Sequence, residues 1–291
     1  MSNARIIVLT SLAMVAFAGN SLLCRAALRG TSIDAASFTT IRLVSGAVVL
    51  WLIVRMRHSS PAGAGNWMSA CALFVYAAGF SFAYTGLSAA TGALLLFGAV
   101  QATMIGYGIW VGERLHKPQL IGLALAFGGL IGLMLPGLSA PPLYGSVLML
   151  VSGIAWGIYS LRGKGGGDPT RVTTGNFLRA VPITIVMSIF MLSGASLDTA
   201  GFWYAVASGA LASGVGYAIW YTVVSRLQAT NAATIQLSVP IIAALGGVII
   251  LGESVTLRLV LASVAILGGI ALVIMKKQSA KSAQQITAGD V

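Results

Sequence analysis

At 291 residues, with 57% hydrophobic and only 8% charged positions, the chain has far less charge than the roughly 25% of a water-soluble domain. A formal net charge of +11 would suggest a nucleic-acid partner in a soluble protein, but here the basic residues sit between long uncharged stretches and report membrane topology instead. Two cysteines, Cys24 and Cys71, are too few for a disulfide scaffold and lack metal-ligand spacing; they read as small buried side chains.

Taken in chain order, hydropathy and chain breakers predict ten membrane helices near 5–24, 35–54, 66–86, 90–111, 119–136, 143–161, 173–193, 201–224, 229–251 and 257–275. The first is long enough to span and reads as a helix, not as a cleaved signal. No charge falls between His58 and Glu113, and none from Pro118 to Leu161. Each of these stretches is long enough for two helices folded back on each other. The breaks carry turn chemistry: Pro61 with Gly63, Pro118, Pro136-Gly137 with Pro141-Pro142, and the glycine run ending in Asp168-Pro169. With ten spans both termini share one side. That side collects Arg5, Arg55, Arg57, Arg114, Lys117, Arg162, Lys164, Arg171, Arg226, Lys276, Lys277 and Lys281, against Arg25, Arg29 and Arg258 on the other. The bias predicts cytoplasmic termini and a multi-pass protein of the bacterial inner membrane. Residues 279–291 read as a polar, disordered cytoplasmic tail.

The sequence repeats. Gly112-Glu113 recurs as Gly252-Glu253, and Gly128-Gly129 as Gly268-Gly269, at an offset of 140 residues; the first helices align at 139, as in Ala16/Ala155 and Ser21/Ser160. Two units of five helices follow, 1–138 and 139–278. An odd number of spans per unit turns the second upside down relative to the first, the arrangement of alternating-access carriers.

Ten spans in two five-helix halves, Gly-Glu closing the fourth helix of each and a Gly-Gly helix after it, resemble the drug/metabolite transporter superfamily and its EamA group. Arg42, Trp156, Pro240 and both glutamates match that pattern; Val100-Gln101 in place of the second unit's Pro240, and Phe17 opposite Trp156, depart from it. The resemblance implies export of metabolites from the cytoplasm. Within the group it is nearest the YddG-like exporters of aromatic amino acids.

The residues themselves nominate a site. Asn20, Gln101 and Gln236 are amides deep in spans, where each needs a partner among protein, water or cargo. Tyr76, Phe80 and Tyr84 recur at helical spacing; Trp156 with Tyr159, and Tyr217 with Tyr221, occupy the inverted counterparts. Rings near span ends anchor headgroups, whereas central rings suit a cavity for apolar or aromatic cargo. Arg42 and Arg179 lie inside spans at equivalent places of the two units. Each either holds a substrate carboxylate or caps neighbouring carbonyls. Glu113 and Glu253 sit at helix C-termini, where the dipole disfavours an anion. Arg114 and Arg258 are the nearest basic residues, so ion pairs, capping or gating are the open readings, with Pro240 a further structural or gating position. Gly108/Gly112, Gly128/Gly132 and Gly153/Gly157 allow close helix packing or sliding. No Asp, Glu or His falls near the middle of a predicted span, which favours uniport or exchange over proton coupling.

The expectation is an all-α integral membrane carrier of amino acids, aromatic ones included, and similar small metabolites. Its partners are the lipid bilayer and a small-molecule substrate, with no cofactor, metal or nucleic acid, as a monomer or weak homodimer. Proton-coupled export of nucleobase-like or sugar-derived metabolites or drugs is the alternative. An enzyme would need a nucleophile with its base, or a metal cluster; the sequence has neither. A non-transporting membrane protein is the remote alternative.

Overall fold

The computed structural model describes residues 2–57, 64–112, 115–137, 140–163, 167–224, 227, 232 and 235–289, the side chains of 3 and 275–289 excepted. Among the described residues ten main helices stand out: α1 (Asn3–Gly30), α2 (Ala35–Met56), α3 (Trp67–Tyr84), α4 (Ala89–Trp110), α5 (Lys117–Met134), α6 (Leu143–Arg162), α7 (Pro169–Phe190), α8 (Thr199–Val224), α9 (Ser238–Leu251) and α10 (Leu257–Gly289). Among the described residues there is no strand, and nine of these helices are long and apolar enough to cross a membrane; α9 is the shorter apolar one. This is an all-helical integral membrane fold. Its outward faces agree, with large apolar side chains such as Ile7, Trp110, Ile131 and Ile249 left exposed to where lipid would lie.

Most boundaries are set by caps, which matter more in lipid than in water because an orphaned N–H there has no solvent partner. Asp34 accepts from the N–H groups of Ala36 and Ser37, Asn66 from Ser69, Ser88 from Thr91, and Asp168 from Thr170. Pro169 fills the first position of α7, so this helix starts four residues before the sequence reading places it. α1 continues past 24 to Gly30, because its last turn is built of good helix formers (Ala26, Ala27, Leu28) and stops only where Thr31 folds back on the Ala27 carbonyl. That extension brings Arg25 inside the helix and buries it, where the sequence reading leaves it among the outside charges. α10 keeps helical backbone through Gly289, over a stretch expected to be a disordered tail; its Lys, Ala and Gln residues favour helix.

The packing has an internal two-fold relation. α3 lies on α6 as α1 lies on α8; α4 lies on α6 as α1 lies on α9; α3 lies on α7 as α2 lies on α8; and α2/α7, α4/α9 and α5/α10 pair across the axis. Gly112 and Gly252 both adopt left-handed backbone, at φ +95° and +61°, where a side chain would be strained. They occupy opposite ends of the bundle. Glu253 reaches Ala89 at the start of α4, whereas Gly112 follows the far end of that 22-residue helix, about 33 Å away at 1.5 Å per residue.

Small residues decide how closely the helices approach. A Cβ on Gly122 or Gly269 would strike the other's carbonyl, so α5 and α10 meet backbone to backbone. The double glycines are used alike: Gly129 and Gly269 pack tightly, while Gly128 and Gly268 have nothing within 4 Å. Gly153 and Gly157 seat α6 against Ala99, Leu96 and Thr103 of α4. Gly128 and Gly132 instead face open space, so that pair is not a packing contact. It borders a groove of ≈ 800 Å³ lined by α5 and α10 alone.

Candidate functional site

Where α1, α3, α4, α6, α8 and the segment before α9 converge, a cavity of ≈ 30 Å³ is enclosed by Phe17, Asn20, Ser21, Tyr76, Phe80, Leu96, Phe97, Trp156, Tyr217 and Gln236. That volume suits about one water, against several hundred Å³ for a site filled by a small ligand. The space as it stands is too small for a small-molecule cargo.

Rings make up most of its wall. Trp156 lies nearly parallel to Tyr159 and Tyr217, with centroids 5.2 and 5.3 Å apart, and is 4.7 Å from Tyr76. Phe17 closes the other side against Tyr217 and Trp220. Tyr76 is held from three directions. Arg42 Nη2 donates to its hydroxyl at 2.9 Å, Asn20 Nδ2 makes a longer contact with the same oxygen at 3.4 Å, and Ser152 donates to its carbonyl. Asn20 Oδ1 in turn accepts from Ser208 at 2.5 Å. Ser208 opens the stretch Ser208–Val215, where α8 widens into π turns, a distortion that recurs at functional sites. There Gly209 is pressed against the Arg42 carbonyl and Ser45, leaving no room for a Cβ.

Arg42 is 2% exposed. Its guanidinium stands over the Tyr76 and Phe80 rings, at 5.2 and 4.7 Å from their centroids, and Nη1 has no hydrogen-bond partner. The Nε2 amide nitrogen of Gln101 is likewise buried without a partner.

Other nominated residues lie beside the cavity or away from it. Tyr84 packs edge-on against Phe80 and donates to the Ala89 carbonyl. Tyr159 supports Trp156 from behind, its hydroxyl engaged with Thr173 and Asn176. Tyr221 packs on the far side of Tyr217 with its hydroxyl beside Tyr159 and Thr173, and Pro240 is buried in α9. Arg179 does not reach the cavity: it caps the carbonyls of Ala64 and Gly175. Glu113 lies outside the described residues.

Glu253 has a partner different from the one sequence proximity suggests. Its Oε1 takes a 2.9 Å ion pair from Arg25 Nε, and its Oε2 accepts from the Ala89 N–H at 2.8 Å. Arg25 Nη1 also donates to the Tyr84 and Thr85 carbonyls. One carboxylate thus ties α1, the α3–α4 corner and the end of α9. It sits at the positive N-terminus of α4, which offsets its unfavourable place at its own helix's C-terminus. Arg258, the expected partner, donates to the Leu135 carbonyl instead. Arg25, Ser208, Ser21, Leu96 and Phe97 were not nominated by the sequence reading. Ser21 follows Phe17 by one helical turn and Phe97 precedes Gln101 by one, so face periodicity reaches those two; nothing in the sequence ties Arg25 to a residue 228 positions away.

A multi-pass helical bundle with two-fold related packing and a ring-lined cavity on its seam is the build of a membrane transporter. Comparison with known proteins agrees. Residues 143–275 match the EamA-like transporter family. An uncharacterized protein of Pseudomonas aeruginosa is 55% identical over 276 residues, covering 94% of this chain and 96% of its own. An uncharacterized transporter of Archaeoglobus fulgidus is 30% identical over 58% of this chain and 62% of its own length, and the uncharacterized transporter YoaV of Bacillus subtilis is 22% identical over 80% and 85%. A solved crystal structure with 17% identity superposes with a TM-score of 0.63 over 93% of this chain and 96% of that one, and so shares the fold. The second half of the chain thus matches the EamA-like transporter family, and relatives that carry a functional name are called transporters.

Proposed function

We propose that this protein is a secondary carrier that exports amino acids, aromatic ones included, and similar small amphipathic metabolites from the cytoplasm by alternating access. The observation that carries the reading is the wall of Tyr76, Phe80, Trp156 and Tyr217, punctuated by the uncharged amides of Asn20 and Gln236, on the seam between the two sets of helices. Flat rings and neutral donors favour a ring-bearing cargo. The halves 1–138 and 139–278 each supply two moving helices: α3, α4, α8 and α9 rock, and the site faces each side in turn. No acidic side chain lines the cavity, which supports uniport or exchange down the cargo's own gradient. The basic residues around the even-numbered loops support cytoplasmic termini in a bacterial inner membrane.

Counterflow in proteoliposomes with labelled amino acids and nucleosides tests the cargo; no flux of any amino acid rejects it. Accumulation driven by an imposed pH gradient, abolished by a protonophore, would contradict uniport. Membrane-impermeant thiol labelling of Gly112→Cys and Gly252→Cys in intact cells should mark only the second.

A further inference from the structure

We propose that Arg42 is the anion anchor of this site, and that the cargo class is an aromatic or apolar monocarboxylate recognised by its carboxylate, with the α-amino group dispensable. The inference rests on the carrier reading above and narrows what is carried. A guanidinium cannot shed its charge, and withdrawing it from solvent in a membrane interior is costly unless an anion or several acceptors meet it. Arg42 is 2% exposed, yet one hydroxyl accepts from Nη2 and nothing accepts from Nη1. Among the described residues no carboxylate pairs with it. Glu253 is held by Arg25 and Ala89, Asp34 by Ala36, Ser37 and Ser196, and Asp168 by Thr170, while Asp198, with one oxygen unpartnered before α8, makes no ion pair with Arg42.

Arg42 stands directly behind Tyr76 and Phe80, which line the cavity. Cargo cannot enter a space of ≈ 30 Å³ unless that edge parts, and parting it opens the way to the free Nη1. With Arg42 and Asn20 both directing donors at its oxygen, the Tyr76 hydroxyl keeps its own proton to give. Guanidinium and phenol together then offer two donors to one carboxylate, a charge-assisted arrangement. An ammonium finds no acid in the lining and only ring faces, a weaker attraction.

Proteoliposomes of the full chain, assayed by counterflow with labelled phenylpyruvate, phenylalanine, phenylalaninamide and phenethylamine, test this without altering the protein. Phenylpyruvate and phenylalanine should be carried, and the amide and amine at least tenfold less well. Flux of phenylpyruvate without phenylalanine supports the anchor while rejecting amino-acid export. Equal flux of phenylalanine and phenethylamine overturns the anchor and leaves the carrier reading standing; flux of none overturns both. Arg42→Gln should raise half-saturation for the carboxylates at least tenfold, Arg42→Lys less, and Arg179→Gln not at all. A folded Arg42→Gln with unchanged half-saturation also overturns the proposal.

Discussion

Replacing Glu253 with Gln should lower the melting temperature of the detergent-purified protein by about 5–10 °C. Arg25 and Glu253 are 9% and 6% exposed in their side chains, so the pair is withdrawn from solvent on both sides. Removing one member of such a pair costs about 3–5 kcal/mol, since the other charge stays buried and uncompensated. Two circumstances soften this. The Tyr84 and Thr85 carbonyls still accept from Arg25, and the amide keeps one acceptor oxygen. That oxygen can serve Arg25 or the Ala89 N–H, but the amide's NH₂ then confronts whichever donor is left. The net expectation is about 2–4 kcal/mol. A large domain loses roughly 2–4 °C per kcal/mol, so the extremes are about 4 and 16 °C and the stated range is the middle of that span. A thermal scan of intrinsic fluorescence on Glu253→Gln, Arg25→Met and the double variant completes the cycle. The double variant should fall short of the summed single losses by at least about 1 kcal/mol. Strict additivity, or a Glu253→Gln protein that melts with the wild type, would refute the claim that this pair locks α1 to α9.

Three further outcomes follow from named contacts. Gly269→Ala should destabilise by about 1–3 kcal/mol, because its Cβ meets the Gly122 carbonyl and the Ala126 nitrogen, neither of which can yield; Gly268→Ala, with open space at its Cβ, should be neutral or slightly stabilising, and equal melting of the two would contradict the α5/α10 packing. Trp156→Ala removes near-parallel partners of Tyr159 and Tyr217, so at about 0.5–1.5 kcal/mol per ring pair the half-saturation for an aromatic cargo should rise roughly two- to tenfold, with Trp156→Phe largely retaining uptake. Burial pushes the Asp34 carboxyl up, but hydrogen bonds from Ser37, Ser196 and Ala36 outweigh it and hold the group below the ordinary aspartate value of 3.8. A depressed folded value means the stabilisation is present above pH 3.8 and is lost as pH falls through the folded value. The stability gap between wild type and Asp34→Asn should be flat from pH 5 to 8 and narrow as pH falls below 3.8; a gap that does not narrow at all on acidification would show that the charge is irrelevant.

The helices were legible because lipid leaves the backbone no alternative and because the breakers, caps and glycines are local signals. The double glycines marked the repeat but not the α5/α10 pairing, and only contact geometry separates Gly129 and Gly269, which pack, from Gly128 and Gly268, which do not. The site was legible as a set of faces. Rings at helical spacing on α3, α6 and α8 did converge, but periodicity could not tell Tyr76, in the wall, from Tyr84, one layer behind it. Arg42 and Arg179 show where pattern gives out. They hold matching places in the two halves, yet one is sealed beside the cavity and the other caps carbonyls. The reason lies in the connections. Ala64–Asn66 folds back on α7, where Asn176 accepts from the Asn66 N–H, and this delivers the Ala64 carbonyl to Arg179. The counterpart connection between α7 and α8 is pinned instead at Ser196, whose N–H and carbonyl are both taken by Asp34 at the start of α2. Held at that end of the bundle, it lends Arg42 no carbonyl. The same charge is thus a finished structural contact in one half and an unsatisfied donor in the other. It is the divergence of two loops, not of the two arginines, that leaves one of them with a donor unmet.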